Sequence, residues 1–288
     1  MYHNTLKKYR KELTETLVEK EHHHYLELSK VALLKLVQIG LKEVTRFWSL
    51  ESVNNIGKTR KKRKGSIFLV LFQLSIFLIY YHIILFVLGL FFRKKKQPNK
   101  SAIKFLFRPK MGKHFAKLGE PFENGEKYLV IGFDDIRRKK YKAYESAEIV
   151  LPGRSTFKGF SKSLGFIFSK FLEIAKLNGV SEFNQAELLI FGKVFIRHIY
   201  GQEVAKTLVP RGKKENSIWI LENDFGIPHL AIADYFNQNQ IKCAHLQHGV
   251  FFQNNLEYTP PVAQYMLCCS ARNKEELSLY LVNCFILS

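Results

Sequence analysis

The sequence predicts an α/β domain with a mostly parallel sheet, preceded by a short helical segment and one transmembrane helix. Three observations predict it: an uncharged apolar run at 67–92, a concentration of basic residues around that run, and an alternation of β-rich runs with longer helical patterns after residue 120. With 288 residues, 47% of them hydrophobic, the chain is long enough for one substantial domain beside a membrane anchor.

Residues 1–57 form a helical N-terminal segment. Leu6, Tyr9, Leu13 and Leu17 repeat at helical spacing, and Leu26, Val31, Leu34 and Val37 make a second, denser stripe. Charged residues occupy the other faces, which suits either a small interaction module or an amphipathic helix lying on a membrane. His22, His23 and His24 fall inside this charged pattern and read as a solvated face, so no metal site is expected.

A basic flank at 58–66 follows, and then the run IFLVLFQLSIFLIYYHIILFVLGLFF, residues 67–92. At about 1.5 Å per residue it exceeds the roughly 30 Å hydrocarbon core of a bilayer and predicts a single tilted span. The run sits too far along the chain for a secretory signal, and it lacks the mid-run break of a re-entrant hairpin. Gln73, Ser75, Tyr80, Tyr81 and His82 interrupt it. For His82 the alternatives are a contact with another helix or a lipid-linked substrate, and a neutral imidazole tolerated beside two tyrosines.

The formal net charge of +20 is local in origin. No Asp or Glu occurs from Ser52 to Gly119, a window that holds 16 Lys and Arg residues, six before the apolar run and ten after it. The rest of the chain is nearly balanced, so a nucleic-acid partner is not expected. The segment 93–119 is therefore expected to be a basic juxtamembrane stretch against anionic headgroups, with the C-terminal domain cytoplasmic. Cys243, Cys268, Cys269 and Cys284 show neither CxxC nor Cys/His metal spacing, and are expected to be reduced thiols.

Residues 120–288 carry the α/β pattern. Strands are expected at 128–133, 147–152, 217–223, 242–247 and 263–269, and helices at about 159–178, 185–207, 227–238 and 271–282. The third and fourth strands, with the helix between them, make a βαβ unit. Its strands end in Glu222, Asn223 and Asp224, and in Gln247, His248 and Gly249. In open parallel sheets ligands bind beyond the carboxyl ends of strands, where both tripeptides fall. A neutral imidazole there can take a proton from an acceptor hydroxyl, with Glu222 or Asp224 holding its tautomer. Gly249 lets the backbone approach a ligand. A His after a strand also serves as a purely structural hydrogen-bonding residue.

The stretch Trp219–Phe252, with its acidic strand end and LQHGVF, resembles the end of the N-terminal half of GT-B glycosyltransferases, above all bacterial capsule and surface-polysaccharide enzymes. AQYMLCCSARNKEEL resembles the strand and helix by which such chains pass toward their second domain. The resemblance implies a Rossmann-like GT-B N-terminal half with His248 as candidate base, Glu222 and Asp224 as supporting carboxylates, and Gln247, Gly249 and Asn223 as substrate-binding residues. HGVFFQNNLEY lacks the nearby Lys of teichoic-acid transferases, which argues against a glycerophosphate donor. The basic flank implies membrane lipids as partners, and the resemblance implies a lipid-linked glycan acceptor, and a nucleotide-sugar donor once a C-terminal domain is supplied. No cofactor is expected. Because no GxGxxG, P-loop or second βαβ series follows, the sequence predicts an acceptor-side half, truncated before its donor domain and inactive alone. The expected location is the bacterial inner membrane, single-pass. The alternative is a non-catalytic membrane-anchored scaffold.

Overall fold

The computed structural model describes residues 29–54, 66–91, 102–108, 115–130, 147–150, 155–176, 180, 183–209, 216–222, 227–246, 262–268, 275 and 284–286. The described chain is α/β. Its elements are helices α1 (Lys30–Asn54) and α2 (Ile67–Phe91), strand β1 (Ile103–Phe107), short helix α3 (Glu120–Asn124), and strands β2 (Glu126–Val130) and β3 (Glu148–Val150). Then come α4 (Ser155–Gly165), a π-helical turn at Phe166–Lys170, α5 (Phe171–Ala175), α6 (Gln185–Leu208), β4 (Ile218–Leu221), α7 (His229–Gln238), β5 (Cys243–Leu246), β6 (Tyr265–Cys268) and β7 (Cys284–Ile286).

All seven strands join one parallel sheet in the order β3-β2-β1-β4-β5-β6-β7. The five expected strands are present. β1 and β7 were not expected, and β1 takes a central position inside the stretch 93–119 that its charge had suggested was a juxtamembrane segment. The physical reason is in IKFLF. Phe105, Leu106 and Phe107 are buried, while Lys104 keeps its ammonium 5.2 Å from the centre of the Trp219 ring. Phe105 and Phe107 each meet Phe115 and Phe122 at centroid distances between 5.1 and 5.6 Å. That aromatic cluster, with Leu129, Ile220 and Leu246, forms the core on one side of the sheet. Elsewhere around the sheet Trp219 packs between Tyr128 and Phe236, at 4.9 and 5.1 Å.

By packing, the chain divides into two compact units. One is Met1–Ile84 with Thr156–Tyr200, the other Leu85–Ser155 with Gly201–Ser288. Thus α4, α5 and most of α6, expected as helices of the 120–288 domain, pack with the apolar helix α2. The cause is aromatic content: Phe166, Phe191 and Phe195 are fully buried, with Phe166 stacked on Phe195 at 5.4 Å and Phe195 edge-on to Phe191 at 5.2 Å.

The helix starts follow from their caps. The Ala32 amide donates to Ser29 Oγ at the head of α1, at 3.2 Å. At the head of α6, Glu187 N–H donates to Asn184 Oδ1 (3.0 Å), and Asn184 N–H donates back to Glu187 Oε2 (2.9 Å). This is a reciprocal capping box. Of the second stripe Val31, Leu34 and Val37 lie in α1, whereas Leu26, the expected helix at Leu6–Leu17 and residues 22–24 lie outside the described residues. The expected helix at 271–282 does too, save Glu275.

Among the described residues α2 is the one helix long and apolar enough to cross a membrane, with mean hydropathy 2.2 over Ile67–Leu88. Its polar interruptions have partners. Gln185 Nε2 donates to Gln73 Oε1 (3.0 Å), and Tyr200 Oη lies within hydrogen-bond distance of His82 Nδ1 (3.3 Å). The Tyr81 ring meets Tyr200 edge-on. The His82 ring also packs on Phe157 and Phe160 at 5.2 and 4.8 Å. Of the alternatives weighed for His82, the contact with another helix is the one observed.

Candidate functional site

The chain order of the strands reverses between β1 and β4: from β1 the sheet runs outward through β2 and β3 on one side, and through β4 to β7 on the other. Such a reversal opens a crevice at the carboxyl ends of the two central strands, because their connections depart in opposite directions. Glu222 and Arg108 stand there, each one residue past its strand.

Glu222 is buried, and its backbone N–H donates to Leu106 O (3.0 Å), extending the β1–β4 ladder. Arg108 holds its carboxylate in a fork. The Arg108 backbone N–H donates to Oε2 (2.7 Å), Nε donates to Oε1 (2.7 Å), and Nη2 donates to Oε1 as well. The Arg108 side chain is 38% exposed while that of Glu222 is fully buried, so the guanidinium spans from the buried carboxylate to the open edge.

Burial by itself raises the Glu222 pKa. His229, buried at the first position of α7, and the Arg108 guanidinium outweigh that effect and hold the carboxyl below its usual range. At neutral pH Glu222 is therefore an anion committed to a clamp between β1 and β4. Both of its oxygens accept hydrogen bonds from Arg108.

Of the residues singled out in sequence, Glu222 stands at the strand end where expected. Asn223, Asp224, Gln247, His248 and Gly249 lie outside the described residues. Their chain position is still informative. β5, neighbour of β4 in the sheet, ends at Leu246 on the same carboxyl edge, immediately before Gln247.

No family model, curated protein or solved structure matches the chain.

Sequence reasoning missed Arg108, which had been counted among the juxtamembrane charges. The available signal was an apolar pentapeptide, IKFLF, closed by Arg108 and Pro109, a pattern for a buried strand with a cation at its carboxyl end. No group of His, Cys, Asp and Glu among the described residues is arranged to hold a metal ion. Cys243 and Cys268 are buried on β5 and β6.

Proposed function

We propose that this chain is the acceptor-side half of a membrane-attached glycosyltransferase of surface-polysaccharide synthesis, using a nucleotide-sugar donor held by a second domain. The observation that carries this reading is the switch point of the parallel sheet. Its carboxyl edge presents an anchored, partly exposed guanidinium, and the strand beside β4 runs directly into Gln247-His248-Gly249.

In this reading His248 accepts the proton of an acceptor hydroxyl as its oxygen attacks the anomeric carbon, and the nucleoside diphosphate departs with the bonding pair. Arg108, fixed by Glu222 through Nε and Nη2, is suited to a phosphate or carboxylate on the acceptor, because a guanidinium carries further N–H donors on its other edge. The α2 helix supplies the attachment to the bacterial inner membrane, with the sheet on the cytoplasmic side, where nucleotide sugars and lipid-linked acceptors are both within reach.

The test is His248→Ala in cells that make the chain and its donor-binding partner domain. Removing a general base is expected to reduce sugar transfer to the lipid-linked fraction by roughly 10²–10⁴-fold. Unchanged polysaccharide would remove the catalytic role. One observation favours the second reading, a non-catalytic membrane-attached scaffold: Arg108 occupies both oxygens of Glu222, so this carboxylate is not at hand to orient His248.

A further inference from the structure

The helix α2 has two unlike sides. Its exposed large side chains include Phe68, Phe72, Ile76, Ile79, Ile83 and Val87. At about 100° per residue these fall within one arc of about 100° along the helix. Val70, Leu71, Leu74, Leu78 and Leu85, on the opposite side, are buried by protein.

The protein side carries charges at a telling level. Phe77 is midway along the Ile67–Leu88 stretch, and Lys193 of α6 holds its ammonium 5.0 Å from the centre of the Phe77 ring. Contacts of Gln73 with Gln185, Tyr81 with Tyr200 and His82 with Phe157 keep α6 and α4 beside the middle of α2. Arg197 and Lys158, on those two neighbours, are exposed. Were α2 to cross a bilayer, these cations would be carried to hydrocarbon depth, where ionised side chains are strongly disfavoured. A crossing would also place one of the two basic flanks on the far side of the membrane, against the bias that keeps Lys and Arg on the cytoplasmic face.

We propose that α2 lies in the plane of the membrane, its Phe68-to-Val87 side sunk into the acyl boundary of an anionic leaflet, with both ends of the helix on the same side of the bilayer. This replaces the single crossing expected from sequence, and it rests on the reading that α2 contacts lipid. An in-plane helix is immersed only about 5–10 Å, so Lys193, Arg197 and Lys158 stay on the aqueous side of the boundary. The six basic residues from Lys58 to Lys64 and the cluster Arg93 to Lys96 then do the same work, attraction to anionic headgroups, in a window without one acidic residue.

The experiment uses the full chain, synthesised in the presence of sealed vesicles of phosphatidylethanolamine and phosphatidylglycerol, with one added cysteine in either flank: Thr59→Cys or Gln97→Cys. Labelling by a membrane-impermeant maleimide is read above that of the unsubstituted chain, before and after detergent. Both positions are expected to label fully from outside without detergent. Protection of one of them until detergent is added would show that α2 spans, and would overturn the proposal while leaving lipid contact intact. Failure of the chain to float with the vesicles would overturn the lipid-contact reading as well. Flotation is expected to weaken on vesicles of phosphatidylcholine alone, and equal flotation there would overturn the anionic-leaflet assignment.

Discussion

At the carboxyl edge of the sheet a buried carboxylate is met by a guanidinium, whereas α2 in the helical unit meets its neighbours through a neutral amide pair, Gln73 with Gln185, and a ring-to-hydroxyl contact, His82 with Tyr200. The same unit buries His198 completely, with no hydrogen-bond partner for either ring nitrogen among the described residues. One region fixes a charge and neutralises it on the spot. The other joins its apolar helix to its neighbours through amide, imidazole and hydroxyl contacts. The difference teaches where each is sensitive: the sheet edge to loss of one partner, the helical unit to protonation.

The largest expected effect breaks the first half of that contrast. Arg108→Ala takes from the buried Glu222 its hydrogen-bonded guanidinium and leaves His229 beside it, and is expected to cost about 3 kcal/mol of unfolding free energy. That is the lower end for a buried pair, because the Arg108 side chain is more than a third exposed and water screens it. Replacing both partners by Met should restore most of the loss. The check is denaturant unfolding of the full chain in micelles, with hydrogen exchange at β4 amides assigning the change to the sheet. A loss within the surface-pair range of about 1 kcal/mol or less would place the pair among ordinary surface contacts.

Acid separates the two regions by pH window. Burial lowers the His198 pKa from its ordinary 6.5 to about 3. The unfolded chain therefore binds a proton that the folded chain refuses, and stability falls as pH drops below 6.5. This single group contributes a slope of up to about 1.4 kcal/mol per pH unit, or roughly 2 kcal/mol by pH 5. Glu222 shows the carboxylate case: its folded pKa lies below the unfolded value, so its stabilisation is complete above about pH 4.3 and fades only below that. Between pH 6.5 and 5 the loss should thus appear in α6 amides and be largely removed by His198→Phe. Protection of β4 amides should fall only at lower pH. Equal sensitivity of both regions at pH 5 would sink the distinction.

What the sequence made legible follows the same division. Strands such as SIWILEN and KCAHLQ show as compact apolar runs, and the expected helix at 185–207 ends one residue short of the observed Leu208. Local pattern suffices for these. β1 was hidden because Lys104, Arg108 and Lys110 made it look like part of the basic flank, although charge count says nothing about which residues alternate inward. At the site, Glu222 was legible as an acid closing a strand. Its partner was not, since Arg108 is 114 residues away and reaches it only through the neighbouring of two parallel strands. The grouping of α4 to α6 with α2 was equally hidden, because spacing alone does not say against which surface an aromatic helix packs.

Packing tightness offers a smaller test of the same contrast. A Cβ at Gly125, between α3 and β2, would lie 2.9 Å from the backbone oxygen of Pro121 and against the Phe105 ring. Neither can yield without moving the sheet core. Gly125→Ala is expected to cost about 1–3 kcal/mol as an overpacked site. At Gly192 of α6 the nearest atoms are the far ends of Leu74, at 2.8 and 2.9 Å, with Phe171 at 3.1 Å. A leucine tip can rotate, so Gly192→Ala should cost clearly less than Gly125→Ala. The reversed order in thermal unfolding of the full chain would mean that the helical unit is the more rigid of the two.

The smallest effect sharpens the neutral half of the comparison. Gln73→Leu removes the amide that accepts from Gln185, and leaves a half-buried donor facing an apolar side chain. Polar contacts between helices in lipid average about 0.6 kcal/mol, because the separated helices find other partners. A loss of that order is expected, and Gln73→Leu combined with Gln185→Leu should return close to the parent value, since two matched apolar groups need no hydrogen bond. The coupling between the two changes, read from a double-mutant cycle on unfolding in micelles, isolates the contact itself. A coupling near zero would mean that water already satisfies both amides. In that case the flank of α2 at Gln73 lies outside the lipid boundary, and the immersed surface is confined to the opposite edge of its apolar arc.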